Sequence, residues 1–216
     1  MTELVIFDCD GVLVDTEPAA NDRMAEIFTS MGVPMTGSQC RSLFQGKTME
    51  DVCLHFADMA GVEPDPALPA AIRREVELTL AEGVQPVPGV GALLAMLEER
   101  ALPYCVASSG SVSKMHVTLG QSGLLNCLRD VLFSAQDVGR GKPHPDVFLH
   151  AAEAMGRSCR DAVIIEDSLS GVLAGVASGA RVLGYCGNPF TDPGELRAAG
   201  AEIFHAMDDV PRMLGL

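Results

Sequence analysis

The sequence has no tryptophan, two tyrosines and eight phenylalanines. A core poor in aromatics must be built mainly from Val, Leu, Ile, Ala and Met. Positive charge is also scarce: 15 Lys and Arg stand against 29 Asp and Glu, a formal net charge of −14. A phosphate backbone or an anionic membrane surface needs a basic patch, so nucleic acid and membranes are excluded as main partners. A small anionic substrate is not excluded, because a bound cation and one or two lysines reverse the sign locally. No apolar stretch reaches the roughly 18 residues of a membrane-spanning helix, and no basic segment precedes a long hydrophobic one. The cysteines, at 9, 40, 53, 105, 127, 159 and 186, are odd in number and lack C-x-x-C spacing. They read as free thiols in a reducing compartment, not as disulfides or zinc ligands. The protein is expected to be soluble and cytoplasmic.

What is present is a chain of 216 residues, 48% hydrophobic and 20% charged, long enough for a core domain with a small insertion. It has no internal repeat and no low-complexity tract. Short apolar runs at 4–7 (LVIF), 104–107 (YCVA), 131–133 (VLF), 162–165 (AVII) and 181–185 (RVLGY) read as buried parallel strands. Between them, Val90, Leu93, Leu94 and Leu97 mark one helical face, and Phe148, Ala151, Ala152 and Met155 another. This alternation predicts an α/β fold with a doubly wound, mostly parallel sheet.

Residues 16–85 break the alternation and read as helices only. Met24, Ile27, Phe28 and Met31 form one stripe, Val52, Cys53 and Phe56 a second, and Leu68, Ile72 and Val76 a third. Thr48 with Asp51 is a helix-start signature. Turn signals frame the stretch, Thr16-Glu17-Pro18 at entry and Pro86-Val87-Pro88-Gly89 at exit. The expected organisation is a core of 1–15 and 86–216 and an inserted helical domain of 16–85. The C-terminal third, with Asn188-Pro189-Phe190, reads as a loop after the last main strand and then a helix.

Four motifs carry chemistry, each at the end of a predicted strand, where open α/β sheets bind ligands. The first is FDCDGVLVDTE at 7–17. Asp8 and Asp10 arrive together, and two like charges 4 Å apart repel by about 4 kcal/mol at an effective dielectric near 20. A hard divalent cation relieves this, and oxygen ligands favour magnesium. An isolated D-x-D is otherwise a helix cap or a solvated pair. The second is VASSG at 106–110, where Ser108 and Ser109 with nearby backbone N–H groups form either an anion cradle or a capped turn. The third is Lys142 in GKPHPD, a point charge for a phosphoryl oxygen or a surface lysine in a turn. The fourth is VIIEDS at 163–168, where Glu166 and Asp167 are metal-binding acids, or Asp167 or Ser168 caps the next helix. Taken together they supply a nucleophile, a second carboxylate, an anion cradle, a cation and metal-binding acids, the parts that phosphoryl transfer needs.

The order D-x-D-G-x-x-x-D-T-E, S-S, K-P-x-P-D, E-D-S resembles the haloacid dehalogenase-like hydrolases over essentially the whole chain. The helical insert resembles their type 1 cap. The resemblance implies that Asp8 is the nucleophile and forms an aspartyl-phosphate, and that Asp10 is the general acid and base. It implies that Ser108 and Lys142 hold the phosphoryl group. It places Mg2+ on the Asp8 side chain, the Asp10 backbone carbonyl and Asp167, with Glu166 completing or supporting that shell. Gln45, Gly46 and Lys47, in the cap loop Phe44–Thr48, would contact the substrate.

Asp10 separates the branches, because haloacid dehalogenases and phosphonoacetaldehyde hydrolases lack an acid there. The sugar phosphomutases resembling β-phosphoglucomutase carry a His in the first cap helix and an Arg after the cap-loop Gly. Asn21 and Met49 stand at about those places here, which favours a phosphatase over a mutase. The segments 109–115 and 148–156, with the cap loop, are most similar to sugar-phosphate phosphatases, including 6-phosphogluconate phosphatases. Lys47 would then meet an anionic group of the substrate; Lys114 either contributes there too or, as the favoured reading, lies on the helix surface. The five histidines have no metal-ligand spacing, and His144 reads as a loop residue. The expected partner is a small phosphorylated metabolite, bound by a monomer or weak homodimer. A catalytically silent metabolite-binding protein would lack the nucleophile or a metal acid, and neither is missing.

Overall fold

The computed structural model describes residues 2–44, 47–189 and 191–216. In chain order, β1 (Leu4–Phe7) and β2 (Val14–Asp15) precede four helices, α1 (Glu17–Ser30), α2 (Gly37–Phe44), α3 (Met49–Ala60) and α4 (Leu68–Glu82). There follow β3 (Gln85–Pro86), α5 (Val90–Glu99), β4 (Tyr104–Ser108), α6 (Val112–Gln121), α7 (Leu125–Leu128) and β5 (Leu132–Ser134). The chain then continues through α8 (Asp146–Ala154), β6 (Ala162–Glu166), α9 (Leu169–Ala177), β7 (Arg181–Tyr185), α10 (Pro193–Ala198), β8 (Glu202–Phe204) and α11 (Val210–Leu214). The chain divides into two compact units, Met1–Asp15 with Gln85–Leu216, and Thr16–Val84.

The first unit is built on a six-stranded sheet in the order β5-β4-β1-β6-β7-β8, with every pairing parallel. β1 lies inside the sheet, and all four of its residues are buried. That is why an unbroken aliphatic run, with no polar alternation, is the right sequence for it. Phe7 pairs with Val106 of β4 on one side and with Ile165 of β6 on the other. The residues just beyond these three strands therefore leave the sheet at one level. The chain runs from β1 to β4 and β5, then crosses back to β6 on the other side of β1. This reversal of strand order marks the binding crevice of such sheets. Val90, Leu93, Leu94 and Leu97 of α5, and Phe148, Ala151 and Ala152 of α8, are all buried. Each large aliphatic or aromatic side chain so covered contributes about 1.5–3 kcal/mol.

Two features depart from the sequence reading. After β7 the expected loop and helix are present, as α10, but they are followed by a sixth strand of the sheet, β8, parallel to β7 through Gly184↔Ile203, which the sequence does not suggest. Only Phe204 of its three residues is buried, so this edge strand carries no apolar run to announce it. A two-residue antiparallel pair, β2 with β3, also escapes the pattern, being too short for periodicity and containing Pro86.

The second unit is all helical. Phe28 stacks on Phe56 at 4.5 Å between ring centroids and meets Phe44 edge-on at 5.7 Å. Three of the eight phenylalanines thus sit in this smaller core, with Ile72 and Val52 beside them. Thr48 caps α3: its Oγ1 accepts from the Asp51 backbone N–H at 3.1 Å and donates to the Asp51 carboxylate at 2.8 Å. Met31, the last residue of the expected first stripe, is 46% exposed, because it lies beyond the end of α1 at Ser30. Among the described residues no helix is long and apolar enough to cross a membrane, and the seven cysteines are free.

Candidate active site

β1 ends at Phe7, so Asp8 leaves the sheet between the ends of β4 and β6. Its backbone N–H donates to the Ile165 carbonyl at 2.9 Å, which fixes it against β6. The chain then turns at once. Leu13 N–H donates to the Cys9 carbonyl at 2.9 Å and Gly11 N–H to the Val14 carbonyl at 2.8 Å. Gly11 takes φ +84°, and a Cβ there would also collide with the Asp167 carboxylate. Only glycine satisfies both demands. The collision also locates Asp167: its carboxylate lies directly against Gly11, far away in the chain.

Lys142, from the loop before α8, is the hub of the buried charges. Its Nζ donates to Asp8 Oδ1 at 2.5 Å, to Glu166 Oε1 at 2.6 Å and to the Ala107 carbonyl at 3.0 Å. The side chain is 3% exposed, and its ammonium sits 4.8 Å from the centre of the Phe148 ring. An ammonium so deeply desolvated requires this full set of partners. Burial favours its neutral form, but the Asp8 and Glu166 carboxylates outweigh burial and hold its pKa above the ordinary lysine range. Asp8 is itself pushed up to about 7, first by burial and further by the Glu166 and Asp10 charges, against the pull of Lys142.

The other Glu166 oxygen, Oε2, accepts from the backbone N–H groups of Asp167 and Ser168 at 3.0 and 3.1 Å and from the Ser168 hydroxyl at 2.9 Å. Glu166 is 1% exposed, and a Cβ on Gly171 of α9 would run into its carboxylate. Ser168 is the cap of α9, with its Oγ accepting from Gly171 N–H at 3.1 Å. The fourth motif thus divides its work: Glu166 faces Lys142, Asp167 faces the first motif, and Ser168 starts the helix.

Ser108, at the end of β4, is buried, and its Oγ accepts from Gly110 N–H at 3.0 Å. Ser109 is exposed. Ser134 at the end of β5 donates its hydroxyl to the Gly110 carbonyl at 2.8 Å, so Gly110 is held at both ends. Lys47 stands in the helical unit, exposed, with its ammonium 5.8 Å from the Phe44 ring centre. Gln45 and Gly46, expected to contact substrate beside it, lie outside the described residues. His144 is exposed, and its backbone N–H bonds to the Gly141 carbonyl at 3.0 Å.

For Lys114 the favoured helix-surface reading is corrected. The residue is not on an outer helix surface: its Nζ lies 2.7 Å from Asp10 Oδ2, and its side chain is 28% exposed. Burial lowers its pKa, but Asp10 outweighs burial and the net shift is upward. A signal for this is present in the chain. Ser111 caps α6, which puts Lys114 in the first turn, where the helix dipole disfavours a cation. A lysine there needs a carboxylate from elsewhere. Cys9, between the two acids, is inert: burial first, then both carboxylates, keep its thiol protonated far above its usual range.

The end of the sheet therefore gathers Asp8, Asp10, Ser108, Lys114, Lys142, Glu166 and Asp167, a dense oxygen and ammonium cluster suited to charge transfer at an anionic centre. Comparison with known proteins points the same way. The sequence profile described as haloacid dehalogenase-like hydrolase matches residues 2–179. The 6-phosphogluconate phosphatase of Escherichia coli (strain K12) is 30% identical over 196 residues, covering 88% of this chain and 86% of that protein. Hexitol phosphatase A of the same organism is 32% identical over 179 residues, covering 82% and 80%. The crystal structure of a family hydrolase from Deinococcus radiodurans R1, with bound phosphate and sodium, superposes with a TM-score of 0.86 at 26% identity, covering 99% of this chain and 95% of that one.

Proposed function

Because the chain belongs to the haloacid dehalogenase-like hydrolases, we propose that it is a phosphatase acting on a phosphorylated sugar or sugar acid through an aspartyl-phosphate. The observation that carries this reading is the buried Asp8–Lys142–Glu166 cluster at the end of the central strand, with Asp10 beside it. In the first step an Asp8 carboxylate oxygen bonds to phosphorus as the ester P–O bond breaks. The departing alcohol oxygen keeps the electron pair and takes a proton from Asp10. In the second step a water oxygen bonds to phosphorus and passes a proton to Asp10, and the bond from Asp8 to phosphorus breaks. Inorganic phosphate leaves and both acids are restored.

Lys142 offsets the charge of the phosphoryl oxygens and, held by Glu166, cannot swing away. Ser108 bounds the phosphoryl site at the end of β4. Glu166 supports the site through Lys142 and the backbone of Asp167. No three His, Cys, Asp or Glu side chains among the described residues form a metal cage, so a cation here would need backbone and water oxygens too. The donors fit that demand, because the Asp167 carboxylate lies against Gly11, next in the chain to Asp10, and all candidate ligands are hard oxygens. Magnesium would be held by the Asp8 and Asp167 carboxylates and the Asp10 carbonyl, and when bound would favour ionised Asp8 and neutralise phosphoryl charge. Lys47 suits an anionic group on the substrate, and a cytoplasmic monomer or weak homodimer suits a small metabolite.

A mutase is disfavoured, since Asn21 donates its side-chain amide to the Glu17 carbonyl of its own helix at 2.8 Å. The test is phosphate release from 6-phosphogluconate, hexitol, hexose and pentose phosphates, 2-phosphoglycolate and β-glucose 1-phosphate, with magnesium and with chelator. Magnesium-dependent release that falls by about 10⁴-fold or more in Asp8→Asn is the expected result. Conversion of β-glucose 1-phosphate to its 6-phosphate without release would replace the phosphatase reading with a mutase.

A further inference from the structure

We propose that Lys114 is a positioning residue for Asp10, holding the carboxylate through Oδ2 in the orientation that its acid and base role needs. The proposal rests on the phosphatase reading above.

Three observations converge on this role. Lys114 occupies the first turn of α6, where Cα–Cβ bonds lean toward the helix N-terminus and so toward the strand ends. Its Nζ is 2.7 Å from Asp10 Oδ2. Gly110 lies beside the pair: a Cβ there would stand 3.3 Å from Lys114 Cδ, tighter than ordinary contact, and within ordinary contact of Ser108 Oγ at 3.4 Å and Asp10 Oδ2 at 3.9 Å. Gly110 is itself pinned by Ser108 and Ser134. The two acids of the first motif are thus each served by a separate lysine. Lys142 is committed to Asp8 and Glu166, and Lys114 is committed to Asp10. A surface ion pair would not end on the second carboxylate of the cluster.

The role has a signature in the leaving group. An alkoxide must be protonated as it departs, whereas p-nitrophenolate leaves without help, so misplacing Asp10 harms only the first class at the kcat/KM step. The experiment compares wild type, Lys114→Met, Lys114→Arg and Asp10→Asn on p-nitrophenyl phosphate and on the alkyl phosphate that wild type turns over fastest. Lys114→Met is expected to lose about 10²-fold in kcat/KM on the alkyl ester. On the aryl ester it is expected to stay within about threefold of wild type. Asp10→Asn shows the same asymmetry, and Lys114→Arg recovers most of the loss. Gly110→Ala, which crowds Lys114 and keeps its charge, should show a weaker loss of the same kind even if Lys114→Met does not fold. Equal loss on both esters, no loss, or a rise in KM with kcat unchanged would overturn the proposal and make Lys114 a structural or substrate-binding residue. Wild type that releases phosphate from neither ester would instead sink the phosphatase reading itself.

Discussion

In the α/β unit, Lys142 is 3% exposed and meets two carboxylates, Asp8 at 11% and Glu166 at 1% side-chain exposure. In the helical unit the described ion pairs join Arg23 to Glu26 and Glu75, Arg41 to Glu17 and Arg73 to Glu50, with carboxylates between 34% and 67% exposed. The cores differ in the opposite sense. The core of the sheet unit is mainly Val, Ile, Leu, Ala and Cys with Phe148 among them, while the helical unit gathers Phe28, Phe44 and Phe56 around one point. Burying charge costs more than it returns unless every group is paired. A unit that does so at one end of its sheet has kept those charges for chemistry. The helical unit has no such cluster among its described residues, and its core centres on three packed aromatic rings.

The sharpest way to break that contrast is Lys142→Met. It strands two buried carboxylates, so the full chain should lose about 3–5 kcal/mol of stability as well as activity. Denaturant unfolding in the presence of chelator measures the first and phosphate release the second. Adding Glu166→Gln removes one stranded charge, and the double variant should regain part of the stability and none of the activity. Stability that does not change in the single variant would mean that the cluster is less isolated from water than its burial says.

Next in size is Phe28→Ala, which empties the centre of the helical core, where Phe28 is fully buried and touches both aromatic neighbours. The expected cost is about 3–4 kcal/mol. Hydrogen exchange on the full chain should show lost protection in α1, α3 and α4 and retained protection in β1, β4 and β6. Uniform loss across both units would mean that they open as one, and the contrast between their cores would not describe separate stabilities.

The same contrast explains which parts of the molecule are legible in the amino-acid sequence. β1, β4, β6 and β7 are legible because a strand covered on both faces must be continuously apolar. The acids and hydroxyls directly after three of them are legible because nothing apolar in that setting calls for them. β8 is not legible, since an edge strand with one buried residue needs no pattern. Nor is the inward path of Lys114, because its partner Asp10 is 104 residues away and only the sheet order brings them together. Ser109, adjacent to Ser108 in the chain, is exposed, because neighbouring residues at a strand end point in opposite directions.

The smallest expected effect belongs to Arg73→Ala. Arg73 Nη2 lies 2.8 Å from both Glu50 carboxylate oxygens, a good geometry at first sight. Yet the two side chains are 48% and 59% exposed, so water already solvates what the pair would gain from closeness. The hydrogen bond from Arg73 holds the Glu50 carboxyl below its ordinary range. A lowered carboxylate pKa contributes stability above the unfolded-state value, and that contribution disappears as pH falls through the folded-state value. Arg73→Ala should therefore lower the melting temperature at pH 7 by about 1 °C at most. The wild-type and variant melting curves should converge completely once Glu50 is protonated in both. A fall of several degrees at neutral pH, abolished in acid or high salt, would show that the helical unit depends on its surface charges after all. The division between a unit that buries charge for chemistry and one that centres on packed aromatic rings would then fail on the helical side.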